Sequence, residues 1–179
     1  MEIKKRIFVI IGSASENSAN QKIIDTLKVS AREYFEFVIF NGLKKLPHFD
    51  PALSTDNTPA EIQNFREEIT KSDGIIICTP EYIFSIPSGL KNALEWCVST
   101  TILTNKPTGI ITASAHGQKG HEELQLIMQT VMARFTTDTT LLIQGVKGKF
   151  NETGEITDKK TCEDLDIFIK AFKRLAEDD

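Results

Sequence analysis

Ile7-Phe8-Val9-Ile10-Ile11, followed at once by Gly12-Ser13-Ala14-Ser15-Glu16-Asn17-Ser18-Ala19-Asn20, is the stretch on which the reading of this chain turns. An unbroken apolar run rich in β-branched residues predicts a strand buried on both faces, as in parallel sheets. The small and polar residues after it lead into Ile23, Ile24, Leu27, Ala31 and Tyr34, which repeat at helical spacing. Ser18, with Gln21 three residues later, supplies the helix start.

The same strand-then-helix alternation continues along the chain. Phe37–Phe40, Gly74–Cys78, Thr108–Ala113 and Thr140–Ile143 are further short apolar runs bounded by turn or polar residues. Between and after them lie three helical stripes: Ile62, Phe65 and Ile69; Leu124, Ile127, Met128, Val131, Met132 and Phe135; and Leu165, Phe168, Ile169, Phe172 and Leu175. Thr58-Pro59-Ala60-Glu61 predicts an N-cap, a proline at the first helical position and a capping-box glutamate. Five strands joined by right-handed crossovers predict an α/β fold: a doubly wound five-stranded parallel sheet of flavodoxin-like order, in one domain over residues 1–179. The long connection 41–57 reads as a packed loop or a site rim, and 146–157 as an exposed turn or hairpin-like excursion.

A chain of 179 residues buries a substantial core without metals or disulfides. Its 21 basic residues against 25 acidic ones leave a net charge of −4, which argues against nucleic acid or an anionic membrane as partner. Cys78, Cys97 and Cys162 are odd in number and widely spaced, so neither a disulfide framework nor a zinc knuckle is expected. Lys4, Lys5 and Arg6 before the first apolar run superficially resemble a signal peptide, but the run is short, and a first strand is the better reading. With no segment approaching the roughly 20 apolar residues of a membrane span, a reduced, cytoplasmic protein is expected.

In open α/β sheets ligands bind beyond the carboxyl ends of the strands. The loop Gly12–Asn20 can aim backbone amides, hydroxyls and a helix N-terminus at a phosphate, although Ser18 alone could be an ordinary cap. Neither Gly-x-Gly-x-x-Gly nor a P-loop is present. Thr79-Pro80-Glu81-Tyr82-Ile83-Phe84-Ser85-Ile86-Pro87 is a proline-braced loop whose aromatics suit a flat ring system or, equally, core or interface packing. The run Ser114-Ala115-His116-Gly117-Gln118-Lys119-Gly120-His121 could bring amides and Lys119 to negative charge on a ligand. Its histidines lack a third metal ligand at a sensible spacing, so no metal is expected.

With those loops assembled, the chain resembles the NADPH-dependent FMN reductase family, whose members include quinone, azo-dye and chromate reductases. Gly12, Ser13, Ser18 and Asn20 match its first motif, with Ser15 where arginine is usual. Pro80, Glu81, Tyr82, Ser85, Pro87, Leu90, Lys91, Asn92, Ala93 and Trp96 match its second, with Ile83 in place of asparagine and Glu95 in place of aspartate. Ser114, Gly117 and Gly120 match its third loosely, and Leu46–Pro51 looks like its connection after the second strand.

The resemblance implies FMN as cofactor and NADPH or NADH as co-substrate. Ser13, Ser15, Ser18, Ala19 and Asn20 would hold the phosphate, Pro80, Glu81, Tyr82, Ile83 and Phe84 would line the isoalloxazine, and Ser114, Ala115, His116 and Gly117 would close its other edge. Hydride chemistry then belongs to the flavin, and no catalytic side chain is assigned. Nicotinamide and a small-molecule acceptor (a flavin, quinone, azo compound or metal oxyanion) would alternate in ping-pong fashion. The missing arginine implies weaker FMN retention, and Ile83 a more apolar pocket.

The resemblance also implies a homodimer or homotetramer in which a second subunit helps cover the flavin. The helix containing Leu94, Trp96 and Cys97 reads as a contact face, with Trp96 equally readable as core. An electron-transfer flavodoxin reduced by a protein partner is the main rival, although its usual acidity exceeds −4. A hydrolase is disfavoured because His48, His116 and His121 lack an aspartate three residues before them. A phosphorelay receiver is disfavoured because the strand ends carry no acidic cluster.

Overall fold

A computed structural model describes residues 4–15 and 17–178, so Glu16 of the first loop and the chain ends at 1–3 and 179 lie outside the described residues. Five parallel strands, β1 (Lys5–Ile11), β2 (Phe35–Phe40), β3 (Gly74–Thr79), β4 (Thr108–Ala113) and β5 (Thr140–Ile143), form one sheet of order β2-β1-β3-β4-β5. That is the flavodoxin-like order, and the exchange of neighbours at β1 and β3 makes the crevice above them the natural ligand site. The helices are α1 (Ala19–Ser30), α2 (Ala60–Lys71), α3 (Ser88–Glu95), α4 (Gln118–Thr130) and α5 (Lys159–Glu177).

Alternation along β1 sorts the core into two layers. Ile7, Val9 and Ile11 pack with Ile23, Leu27, Phe168 and Phe172 from α1 and α5. Phe8 and Ile10 pack with Ile62, Phe65, Leu90 and Leu124 from α2, α3 and α4. Gly109 in β4 admits the α5 aromatics, since a Cβ there would lie 2.6 Å from Phe168 Cζ. Arg6, at the start of β1, pairs with Glu68 of α2 at 2.6 Å.

Several local expectations are corrected. α2 has no side-chain cap: the Thr58 hydroxyl donates to Leu53 O at 2.9 Å, closing the preceding loop, and Pro59 occupies the cap position. Tyr34 lies beyond the end of α1, and Met132 and Phe135 beyond the end of α4. Met132 leaves the helix in a left-handed conformation, with φ of 59°.

The connection 41–57 is packed, with 3₁₀ turns at Leu43–Lys45 and Pro51–Leu53. Helix α3 and the residue after it grip this loop. Pro47 O accepts from Asn92 Nδ2 and Trp96 Nε1, both at 2.9 Å, while Phe49 N–H donates to Asn92 Oδ1 at 2.7 Å. Arg66 of α2 adds bonds to Trp96 O and Ser54 O. Leu94, Trp96 and Cys97 are therefore core and not a contact face; Trp96 has no exposed surface, and its ring meets Phe49 edge-on at 5.2 Å. The excursion 146–157 is a 3₁₀ turn at Val146–Lys149 followed by an antiparallel bridge between Phe150 and Ile156.

Cys78 and Cys97 are buried free thiols and Cys162 is exposed. Burial pushes the Cys78 thiol far above its ordinary value and that of Cys97 up to about 12.

Trp96→Phe removes one of two donors to Pro47 O and leaves a void. It is expected to cost roughly 1–3 kcal/mol, read as a lower urea midpoint at unchanged slope.

Candidate functional site

The carboxyl ends of β1, β3 and β4 bring three loops to one crest. Gly12 N–H donates to Cys78 O at 2.8 Å. A Cβ on Gly12 would sit 2.3 Å from Thr79 Oγ1, so only glycine lets β1 and β3 finish side by side. Ser13 Oγ accepts from Ser15 N–H at 3.2 Å, and Ser18 Oγ caps α1 by accepting from Gln21 N–H at 3.2 Å. The Gln21 side chain turns to Asp25, at 2.9 Å, so the capping box is half made.

Among the described residues, the N–H groups of Ser13, Ala14, Ser18 and Ala19 have no acceptor. Both serine hydroxyls accept a bond and still carry a hydrogen to donate. Asn20 is buried beneath them: its Nδ2 donates to Ala113 O at 3.3 Å, and its Oδ1 accepts from Cys78 Sγ at 3.3 Å. Its amide thus ties α1 to the ends of β3 and β4.

The second loop leaves β3 through buried Pro80 and folds into a tight hairpin. Tyr82 N–H donates to Ser85 O at 2.9 Å, and Ser85 N–H to Tyr82 O at 3.1 Å. Ile83 and Phe84 between them have φ of 52° and 58°. Tyr82, Ile83 and Phe84 are all exposed, which settles the open reading against core packing.

Two carboxylates fasten the hairpin's arms to α4. Glu81 Oε1 accepts from Gly117 N–H at 3.2 Å, and its Oε2 from Gly120 N–H at 2.8 Å. From the other side, Glu123 Oε2 accepts from Ser85 Oγ at 2.7 Å and Ile86 N–H at 2.8 Å. Gly120 allows this approach, since its Cβ would press on Glu81 at 3.3 Å.

This arrangement corrects the reading of the third loop. Helix α4 begins at Gln118, so Lys119, Gly120 and His121 are helical. Its first-turn amides already receive an anion, the Glu81 carboxylate, and Lys119 pairs with Glu122 at 2.8 Å. His121 is buried, with Nδ1 2.9 Å from Thr112 Oγ1, and burial holds its pKa below the ordinary histidine value. What remains open at this edge is the exposed pair Ala115 and His116. Ser114 Oγ lies 3.4 Å from Glu81 O, and Gly117 turns the chain into α4 with φ of 85°.

Among the described residues, the crest therefore offers the start of α1 with amides that have no acceptor, beside the exposed hairpin of Tyr82, Ile83 and Phe84. Sequence reasoning missed the part played by Glu123. Its signal was a carboxylate one turn after Lys119 and Gly120, which nothing in the linear order connects to Ser85, 38 residues away.

The chain matches the model of the NADPH-dependent FMN reductase family over residues 5–146. It is 31% identical over 170 residues to the NADH:(hydroxy)cinnamate reductase subunit CrdA of Vibrio ruber, covering 91% of this chain and 83% of that one. It is 28% identical over 179 residues to a quinone reductase of Escherichia coli strain K12, covering 96% and 95%. Among solved structures it is similar to FerB of Paracoccus denitrificans, a flavoenzyme NAD(P)H:(acceptor) oxidoreductase, with a TM-score of 0.80, 26% identity and 97% of each chain covered.

Glu81→Ala uncaps two amides of α4 and frees one arm of the hairpin. A loss of about 1–2 kcal/mol is expected, with faster hydrogen exchange at Gly117 and Gly120; unchanged exchange there would count against the cap.

Proposed function

The chain belongs to the NADPH-dependent FMN reductase family, and on that premise we propose that one flavodoxin-like domain over residues 1–179 takes hydride from NADPH or NADH and passes electrons through FMN to a small acceptor. Flavins, quinones, azo compounds and metal oxyanions are the acceptors in view. The observation that carries the site is the contrast between two helix ends: α4 receives the Glu81 carboxylate at Gly117 and Gly120, whereas at the start of α1 the Ser18 and Ala19 amides have no acceptor among the described residues and the Ser13 and Ser18 hydroxyls each keep a hydrogen to donate. That donor set suits a phosphate monoester, because oriented N–H groups and a helix N-terminus stabilise a compact anion.

In this reading Ser13, Ser15 and Ser18 donate to the phosphate through hydroxyl or amide, and Ala19 and Asn20 contribute backbone N–H groups. The Asn20 side chain holds the loop against β3 and β4 rather than touching the ligand. Pro80, Glu81, Tyr82, Ile83 and Phe84 form the wall for the ring, with Glu81 acting through its hold on α4. Ser114, Ala115, His116 and Gly117 form the opposite edge, where Ala115 and His116 are the exposed members. Bound FMN supplies the two-electron chemistry, and the protein fixes the geometry and excludes competing approaches.

No helix among the described residues is long and apolar enough to cross a membrane. A cytoplasmic location and a homodimer or homotetramer belong to the same proposal. Exposed Val98, Leu126 and Met132, on or just beyond α3 and α4, support an apolar contact between copies.

Anaerobic stopped-flow mixing of the FMN-loaded protein with NADH or NADPH is expected to bleach the flavin. Binding of FMN without reduction by either nucleotide would favour the electron-transfer flavodoxin instead, and no binding would remove the site.

Ser15→Arg restores a charge-assisted bond worth about 1.5–3 kcal/mol. FMN affinity should rise at least about tenfold, as read by quenching of FMN fluorescence.

A further inference from the structure

The Tyr82–Ser85 hairpin carries a backbone cost that the fold does not recover. Its two central residues, Ile83 and Phe84, are left-handed, with φ of 52° and 58°. Glycine and asparagine occupy such positions readily, whereas a β-branched residue there is an outlier. A side chain can offset such strain by packing, but Ile83 is 95% exposed and Phe84 74% exposed. Asparagine at position 83 would remove the strain and forfeit almost no contact within the chain.

The turn keeps its shape because its surroundings hold it. Glu81 takes the Gly117 and Gly120 amides, Glu123 takes Ser85 Oγ and the Ile86 amide, and Pro80 and Pro87 bracket the segment. Strained backbone that its environment over-determines is the kind found at ligand clamps. Here it lifts two large apolar side chains off the crest as a stiff edge, already ordered before any ligand arrives.

Resting on the reductase reading above, we propose that Ile83 and Phe84 determine acceptor specificity. They form an apolar lip for a planar, apolar oxidant such as an alkylated naphthoquinone, in preference to a small polar or anionic one. The lip acts by removing apolar surface of the acceptor from water, so it discriminates by hydrophobic area and not by charge. The overall step balances: NAD(P)H gives up a hydride, and the quinone gains its two electrons and proton together with one proton from solvent, becoming the hydroquinone.

The test is Ile83→Asn with Ile83→Val beside it, both assayed at saturating FMN with menadione and with ferricyanide. The ratio of kcat/KM for menadione to that for ferricyanide should fall about tenfold in Ile83→Asn and stay within about twofold of the parent in Ile83→Val. The unfolding midpoint of Ile83→Asn should rise, because the left-handed strain is relieved. A ratio unchanged in Ile83→Asn overturns the proposal. So does a fall in the ratio accompanied by a change in mass by light scattering, which would assign Ile83 to a subunit contact. A lower unfolding midpoint in Ile83→Asn would remove the premise that the fold does not use the side chain. Failure of the reductase reading is separate, since the parent protein would then not be bleached by NADH or NADPH at all.

Discussion

The carboxylate of Glu81, seated on the first-turn amides of α4, is the contact from which the rest of the crest follows. A helix N-terminus carries partial positive charge and unpaired donors, and an internal anion satisfies both. At α4 that anion is Glu81, which occupies the Gly117 and Gly120 amides from within the chain. Glu123 returns the contact from α4 to the far arm of the same hairpin. Loop and helix are thereby cross-linked by carboxylate–amide and carboxylate–hydroxyl bonds, and the hairpin's conformation becomes a property of the sheet and α4 together.

The sheet makes that contact possible. Parallel order brings the ends of β1, β3 and β4 level, and Gly12 lets the first two close on each other beside Thr79. Asn20 then joins α1 to both β3 and β4. The loop after β1 is consequently tied at its base, while among the described residues its Ser13, Ala14, Ser18 and Ala19 amides have no acceptor. The same economy appears beyond β2, where Asn92 and Trp96 of the second sequence motif hold Pro47 and Phe49. Much of that motif therefore builds the frame behind the site.

The legible part of the structure was the part written in hydrophobic pattern. β4 and β5 begin and end where their apolar runs do: Pro107 and Ser114 flank the first, Thr139 and Gln144 the second. β1 and β2 are longer than their apolar runs, since Lys5, Arg6, Phe35 and Glu36 continue the ladder through backbone bonds that side-chain polarity does not report. The start of α4 was hidden because Lys119, Gly120 and His121 have the composition of a loop, and what makes them helical is the carboxylate of a residue far back in the chain. Thr58 looked like a cap in sequence and serves its own preceding loop instead. The loops that make the candidate site were identified from motif and position, but how they hold one another depends on long-range polar contacts without periodicity.

The two buried cysteines give the molecule a chemical tolerance suited to its surroundings. Only a thiolate reacts quickly with peroxide or with an electrophilic quinone, and burial keeps Cys78 and Cys97 protonated at neutral pH. Cys78 lies directly under the crest, bonded to Asn20, yet it is inert towards the oxidants that would be handled above it. Thiol oxidation would begin at Cys162, the exposed cysteine near the start of α5, at a distance in sequence from every loop of the crest.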